Sequence, residues 1–313
     1  MKSIYLLYLF FAETSDNKKM IGEMKSFGEE NSEKTFLVIR LNNPFLGLMA
    51  IYNCVLGYLR IAERNGFIPV VDLKNYANGY LEDEEIGKIN AWEYYFEQPT
   101  SYTLEEVYRS KNVVFGTGVS PREASPAILN LLLSDKKKAS YYYDLSNKYL
   151  RIKDSILEEI SRDCQNLIGG KRVIGVSSRG SDMINLKGHA IQPSTSALMA
   201  KTKGLLVKWN CDYVFLATEE NHVIEDFREE FGDKLLINDS FRISEFEVYK
   251  PFVNISSNRE NDKFLKGLEY LNTILILSEC NSLVGTVIGK TVGAISLNKG
   301  TYENKYFFEL GLY

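Results

Sequence analysis

From residue 35 onward the chain alternates short apolar strands with amphipathic helices, and that alternation restricts it to α/β architectures with parallel sheets. Adjacent parallel strands need a long crossover, which a helix supplies. Residues 35–41 read as a strand, broken by Asn42-Asn43-Pro44. Ile51, Val55, Tyr58, Leu59 and Ala62 then share one face of a helix ending near Gly66. Residues 67–73 and 112–115 read as further strands. A helical pattern over 139–168 steps through Leu145, Tyr149, Ile152, Ile156 and Ile160 until Gly169-Gly170 ends it.

The second half repeats the theme. A strand at 172–176 precedes a helix starting near Ser194, and a strand at 213–218 precedes a helix with Val223, Ile224, Phe227 and Phe231 on one face. Residues 235–237 form a short strand, Phe264, Leu268, Leu271 and Leu275 mark another helix, and 294–297 reads as one more strand. With 313 residues the chain exceeds the usual ~100–200 of one domain. The expected division is an extension at 1–34, an α/β domain at 35–168 and a second, Rossmann-like domain at 169–313.

Composition excludes some classes. A net charge of −4 argues against a general nucleic-acid binder, which needs a basic face. No segment reaches the ~20 apolar residues of a membrane span. Cys54, Cys164, Cys211 and Cys280 are far apart and lack zinc spacing, as in reduced cytosolic proteins. The apolar run that ends at Ala12 lacks a small-x-small cleavage site, so it reads as a membrane-touching or disordered extension rather than a cleaved signal. The expected location is the cytoplasm, at the inner face of the membrane where that extension touches lipid.

Polar loops after the strands of the second half carry the chemistry, because ligands of open α/β sheets bind outside the carboxyl ends of the strands. Ser177-Ser178-Arg179-Gly180-Ser181-Asp182 leaves the first strand, with Lys187 and His189 further on. Thr218-Glu219-Glu220 leaves the second, and the turn near 285 presents Thr286, Gly289, Lys290 and Thr291. An arginine fork, hydroxyls, helix amino termini and carboxylates would suit a nucleotide diphosphate with its ribose. The plain alternatives are a solvated Arg–Asp pair and an acidic first helical turn at Glu219-Glu220.

Other motifs are rejected by spacing. Gly289-Lys290-Thr291 is no phosphate loop, because the glycine that motif requires is Val284 here. No Gly-x-Gly-x-x-Gly follows a strand, which counts against a dehydrogenase. His189 and His222 are the only histidines, and no Asp-x-Asp occurs, so no metal anchor is evident. His222 reads as a surface residue of a helix's first turn; His189, within the polar loops, is the better ligand contact.

Taken together, the blocks Ile174-Gly-Val-Ser-Ser-Arg-Gly-Ser-Asp182, Val214-Phe-Leu-Ala-Thr-Glu-Glu220 and Leu277-Ser-Glu-Cys-Asn-Ser-Leu-Val-Gly-Thr286 resemble the three motifs of the fucosyltransferases with α1,6-, α1,2- and protein O-fucosyl activity. Leu186-Lys-Gly-His-Ala-Ile-Gln-Pro193, Asn90-Ala-Trp-Glu-Tyr-Tyr-Phe96 and the ending Phe308-Glu-Leu-Gly-Leu-Tyr313 are similar to small bacterial members of surface-polysaccharide synthesis. The resemblance spans about 35–313. It implies a GT-B-like fold, two Rossmann-like α/β domains facing a cleft, and an inverting glycosyltransferase without a metal or other cofactor. The donor would be a GDP-sugar, GDP-fucose, held mainly by the second domain; the acceptor would be a glycan or lipid-linked saccharide met from the first.

By the same resemblance Arg179 holds the β-phosphate and Asp182 orients its loop. Ser177, Gly180, Ser181, Lys187, His189, Glu219, Glu220, Glu269, Thr286, Gly289, Lys290, Thr291 and, from the first half, Gly47 would line the donor. The chain departs from the pattern at five places. Ser177 stands for the motif's histidine and Gly180 for its second arginine. The guanine-reading aspartate falls near Thr273, with Glu269 one turn earlier, and the paired serines near the diphosphate fall at Ile288-Gly289. The glutamate base has no match between Asp182 and His189. A catalytically silent sugar-nucleotide-binding or interaction protein of the same fold is therefore the alternative expectation.

Overall fold

The computed structural model describes residues 20–41, 43–118, 136–179, 189–244 and 255–313. These residues separate into two compact units: most of the chain up to Arg151 forms the first, and the second takes Ile152–Tyr313 together with Gly47–Ala50 and the described part of the segment that ends at Tyr143.

The first unit is built on three parallel strands, β1 (Phe36–Ile39), β2 (Ile68–Val71) and β3 (Val113–Phe115), in the order β2-β1-β3. The apolar run of β1 suits a central strand, and all four of its residues are buried. Helix α1 (Leu48–Asn65) connects β1 to β2 and buries Ile51, Val55, Tyr58, Leu59 and Ala62, as the periodicity predicts. Two single-turn helices follow, α2 (Trp92–Tyr95) and α3 (Leu104–Val107). Thr103 and Glu106 cap α3 reciprocally, and Leu104 and Val107 pack on Phe36, Val38, Val70 and Val113. Residues 20–34, expected to belong to an extension, instead run antiparallel beside β3, where Lys25 and Val113 exchange backbone hydrogen bonds of 2.8 and 2.9 Å. They cover an edge that would otherwise expose unpaired amides and carbonyls.

The expected single helix over 139–168 is two helices, α4 (Lys136–Tyr149) and α5 (Asp154–Ile168). The Arg151 carbonyl accepts the Glu97 N–H at 2.8 Å rather than continuing a helical ladder. A tertiary partner thus overrides a pattern that local periodicity would extend.

The second unit is a five-stranded parallel sheet of β4 (Val173–Ser177), β5 (Tyr213–Ala217), β6 (Leu235–Leu236), β7 (Ser282–Gly285) and β8 (Asn304–Phe307). The order β6-β5-β4-β7-β8 puts β4 at the centre. On one face α6 (Thr195–Lys208) and α7 (Asn221–Phe231) bring Leu198, Leu205, Val223, Phe227 and Phe231 onto Ile174, Val176, Val214 and Leu216. Each such side chain fully buried is worth roughly 1.5–3 kcal/mol. Helix α8 (Asp262–Glu279) packs closely on β4, and a Cβ on Gly175 would come within 2.9 Å of the Leu277 side chain.

One strand expectation is corrected. Residues 294–297 are the last turns of helix α9 (Gly289–Leu297), not a strand. Ala-Ile-Ser-Leu is too short a run for periodicity to separate the two states, and the stretch between Gly285 of β7 and Asn304 of β8 leaves room for a helix. No helix among the described residues is long and apolar enough to cross a membrane.

Candidate functional site at the carboxyl edge of the second sheet

The strand order fixes where a ligand belongs. From β4 the chain builds outward through β5 and β6, then returns to the other side of β4 to place β7 and β8. The crevice at that reversal, outside the carboxyl ends of β4 and β7, is where open α/β sheets take their ligands. Pairing of Ser177 with Ala217 and of Val176 with Val284 brings the three strand ends level. Gly285 permits this approach, because a Cβ there would stand 3.0 Å from both Cβ and the carbonyl oxygen of Ser177.

Side chains from the loops after β4 and β5 and from the first turn of α9 meet beyond this edge. Ser178 extends the ladder by one bond, its N–H donating to the Ala217 carbonyl at 3.0 Å, and this delivers Arg179. Arg179 Nη1 lies 3.5 Å from Glu219 Oε1, and Lys290 Nζ lies 2.7 Å from the same oxygen. Lys290 also donates to the carbonyls of Ala217 at 3.3 Å and Ser178 at 3.4 Å, and its side chain is only 1% exposed. Thr291 donates to the Ser177 hydroxyl at 3.1 Å, and Thr286 donates to the Gln192 side chain at 2.6 Å.

Two cations share one carboxylate, and the neighbouring Glu220 interacts with both of them. Burial pushes the Glu219 pKa up, but Lys290 and Arg179 outweigh it and the carboxyl is held below its ordinary value. For Lys290 burial dominates and lowers the pKa against the pull of Glu219. Glu220 goes the other way: burial raises its pKa, with His222 opposing. Its Oε1 is buried without a hydrogen-bond partner, as is Nε of Arg242. Arg242 donates to the carbonyls of Ser240 at 2.9 Å and Asn238 at 2.6 Å, and burial lowers its pKa. Buried polar atoms left without partners are rare in folded proteins, and a bound group could complete them.

The structure places the remaining candidates as follows. Gly289 opens α9, whose Ile288 cap supplies no side-chain acceptor, so the first N–H groups of the helix are left to another partner. Glu269 is engaged: it pairs with Arg259 and accepts the Phe241 N–H at 2.9 Å. It borders a narrow cavity with Thr218, Phe241, Tyr270 and Thr273. His189 is held through its backbone, its carbonyl accepting the Tyr313 N–H at 3.0 Å. His222, with 40% of its side chain exposed in the first turn of α7, is the surface residue expected; it stands 3.9 Å from Glu220, with its Nδ1 turned inward. Gly47 precedes α1 by one residue. Gly180, Ser181, Asp182 and Lys187 lie outside the described residues.

Sequence reasoning missed Gln192, Tyr270 and Arg242. Only the fold brings them to this edge; a lone arginine in a polar stretch was the one local sign, at Arg242. Among the described residues, no three or more His, Cys, Asp or Glu are grouped to hold a metal ion.

No family model and no curated protein matches the chain. Solved structures do. The α-1,6-fucosyltransferase NodZ soaked with GDP-fucose is 13% identical and superposes with a TM-score of 0.53, over 88% of this chain and 96% of that one. Selenomethionine NodZ from Bradyrhizobium gives 12% identity and 0.53 over the same shares. Apo POFUT1 gives 12% and 0.51 over 90% of this chain and 100% of that one. The chain therefore has the α/β, GT-B-like fold of these fucosyltransferases.

Proposed function

We propose that this chain is a glycosyltransferase of fucosyltransferase type, taking GDP-fucose as donor and inverting the anomeric carbon on transfer to a glycan or lipid-linked saccharide. The observation that carries this reading is the sharing of Glu219 by Arg179 and Lys290 at the reversal point of the second sheet. Cations held at the carboxyl edge of such a sheet, with an arginine fork among them, suit the oxygens of a diphosphate.

In the reaction so proposed, an acceptor hydroxyl attacks C1 of the sugar while the bond from C1 to the β-phosphate oxygen breaks. The electron pair leaves with GDP, and the hydroxyl proton passes to a base. Arg179, Lys290 and the amino end of α9 meet the charge that grows on the departing phosphate. Fixed donors of this kind act without reorganising at the moment of reaction. Ser177 and Thr291 add hydroxyls beside them. The setting proposed is the cytoplasmic face of a membrane that makes a bacterial surface glycan.

Glu269 favours a second reading. With its carboxylate held by Arg259 and the Phe241 amide, it does not present itself as the reader of a guanine. That suits a protein that binds a sugar nucleotide without transferring it, or one with a different base. A screen with GDP, UDP, CDP and their sugars separates these outcomes. Turnover of GDP-fucose, by hydrolysis or transfer, is expected; tight binding of a nucleotide sugar without turnover of any would establish the silent reading instead.

A further inference from the structure

A second cavity lies in the first unit. It measures about 670 Å³, within the ~300–1,000 Å³ of ligand pockets, and is lined by Lys25, Phe27, Arg40, Lys74, Tyr108 and Phe115 among others. Its position follows from the strands. Val38 pairs with both Val70 and Phe115, so Arg40, Asp72 and Phe115 fall on one face at the carboxyl edge of this sheet too.

Asp72 is the foundation of the site. Its carboxylate is fully buried, with Oδ1 accepting the backbone N–H of Lys74 at 2.9 Å and of Asn75 at 3.1 Å. Oδ2 accepts Arg40 Nε at 3.1 Å and Nη2 at 2.5 Å, and Arg40 Nη2 also reaches Tyr108 Oη at 2.8 Å. Arg40 is thereby held with its guanidinium 5.6 Å from the Phe115 ring centroid, and Lys25 Nζ lies 5.7 Å from the same ring. Lys74 meets Glu105 at 2.7 Å. Counting Lys25, Arg40 and Lys74 against Asp72 and Glu105 leaves one positive charge in excess.

Phe27 adds an aromatic wall to the lining. It is 43% exposed, yet it stands edge-on to Tyr108 at 5.3 Å and to Phe115 at 5.9 Å. A half-exposed ring braced by two others contributes little to a core and offers a firm apolar surface. Cations beside such a surface suit a sugar ring that carries an oxyanion: the ring lies against the aromatic wall and the anion meets the fork and the ammonium groups.

We propose that this cavity binds an acidic saccharide, one bearing a carboxylate or a phosphate; its assignment as the acceptor's subsite rests on the transferase reading above. Glu105 and Asp72 set the selectivity, since they offset most of the charge and leave room for about one anionic group.

Calorimetric titration of the full chain, saturated with GDP, tests this with lactose, a glucuronic-acid-containing disaccharide and glucose 6-phosphate. One or both acidic sugars should bind, with lactose at least about ten-fold weaker, and their ratio tells carboxylate from phosphate. Lys25→Ala and Lys74→Ala should each weaken binding by roughly ten-fold, and Phe27→Ala by about five-fold. Higher salt should weaken it further. Equal binding of lactose, no binding of either acid, or full affinity in the lysine variants would overturn the proposal. GDP affinity serves as the separate readout. If acidic sugars bind but GDP-fucose does not turn over, the site stands and the transferase reading falls.

Discussion

Arg179 reaches Glu219 from the loop after β4 and Lys290 from the first turn of α9, and their roles divide by burial. Arg179 keeps 13% of its side chain exposed and Lys290 only 1%, so a ligand entering from solvent meets the arginine first. Replacing Arg179 by Ala should lower turnover roughly 100- to 1,000-fold, the effect of one transition-state donor worth about 2.7–4 kcal/mol. Lysine should restore little, because it lacks the fork. Melting temperature should hardly move; a large fall, with turnover kept, would assign Arg179 to structure. Lys290→Met should instead destabilise, by about 3–5 kcal/mol, because it strips a buried carboxylate of its nearest cation. Glu219→Leu combined with Lys290→Met should recover much of that stability in denaturant titrations without recovering turnover. Glu220 gives a pH signature. Its pKa is raised in the folded state, so its stabilising contribution is complete below about 4.5 and is lost as pH rises through the folded value. Glu220→Gln should therefore melt like the parent at low pH and above it near neutrality. A gap that widens on acidification would contradict the assignment.

At the level of elements, the second sheet depends on close approach at β4. Gly175→Ala would put a methyl carbon 2.9 Å from Leu277 and 3.2 Å from Cys280 Sγ, forcing α8 outward. A loss of about 1–3 kcal/mol in denaturant titration is expected. Because α8 also carries Tyr270 and Thr273 to the site, nucleotide affinity should fall with it. Unchanged stability would mean that the helix shifts without strain. The elements also explain where sequence reading succeeds. Phe-Leu-Val-Ile of β1 and Val-Phe-Leu-Ala within β5 are apolar on both faces, which only a central parallel strand tolerates. It fails at α9, where the short run Ala-Ile-Ser-Leu fits either state, and at β8, whose Asn-Lys-Tyr-Phe edge strand pairs with β7 and need not be apolar throughout.

For the whole molecule, the proposed function makes the positive charge of the second unit, rather than an added ion, the partner of the diphosphate. Turnover should accordingly persist in EDTA, and GDP at 100 times its Kd should stabilise the chain by about 2.7 kcal/mol, read as a rise in melting temperature. Activity abolished by EDTA and restored by magnesium or manganese would sink this account. By itself the amino-acid sequence determined the α/β class, the strands that form both sheet centres, and the strand-end segments that carry Arg179, Glu219 and Lys290. These are properties of hydrophobic period and residue type, which short stretches of chain express. Only the tertiary structure decided that Lys290 is buried on Glu219, that Glu269 is taken by Arg259, and that residues 20–34 close an edge of the first sheet. Burial and ion pairing depend on which strand ends lie side by side, and strand order is set by long-range packing that no local pattern contains.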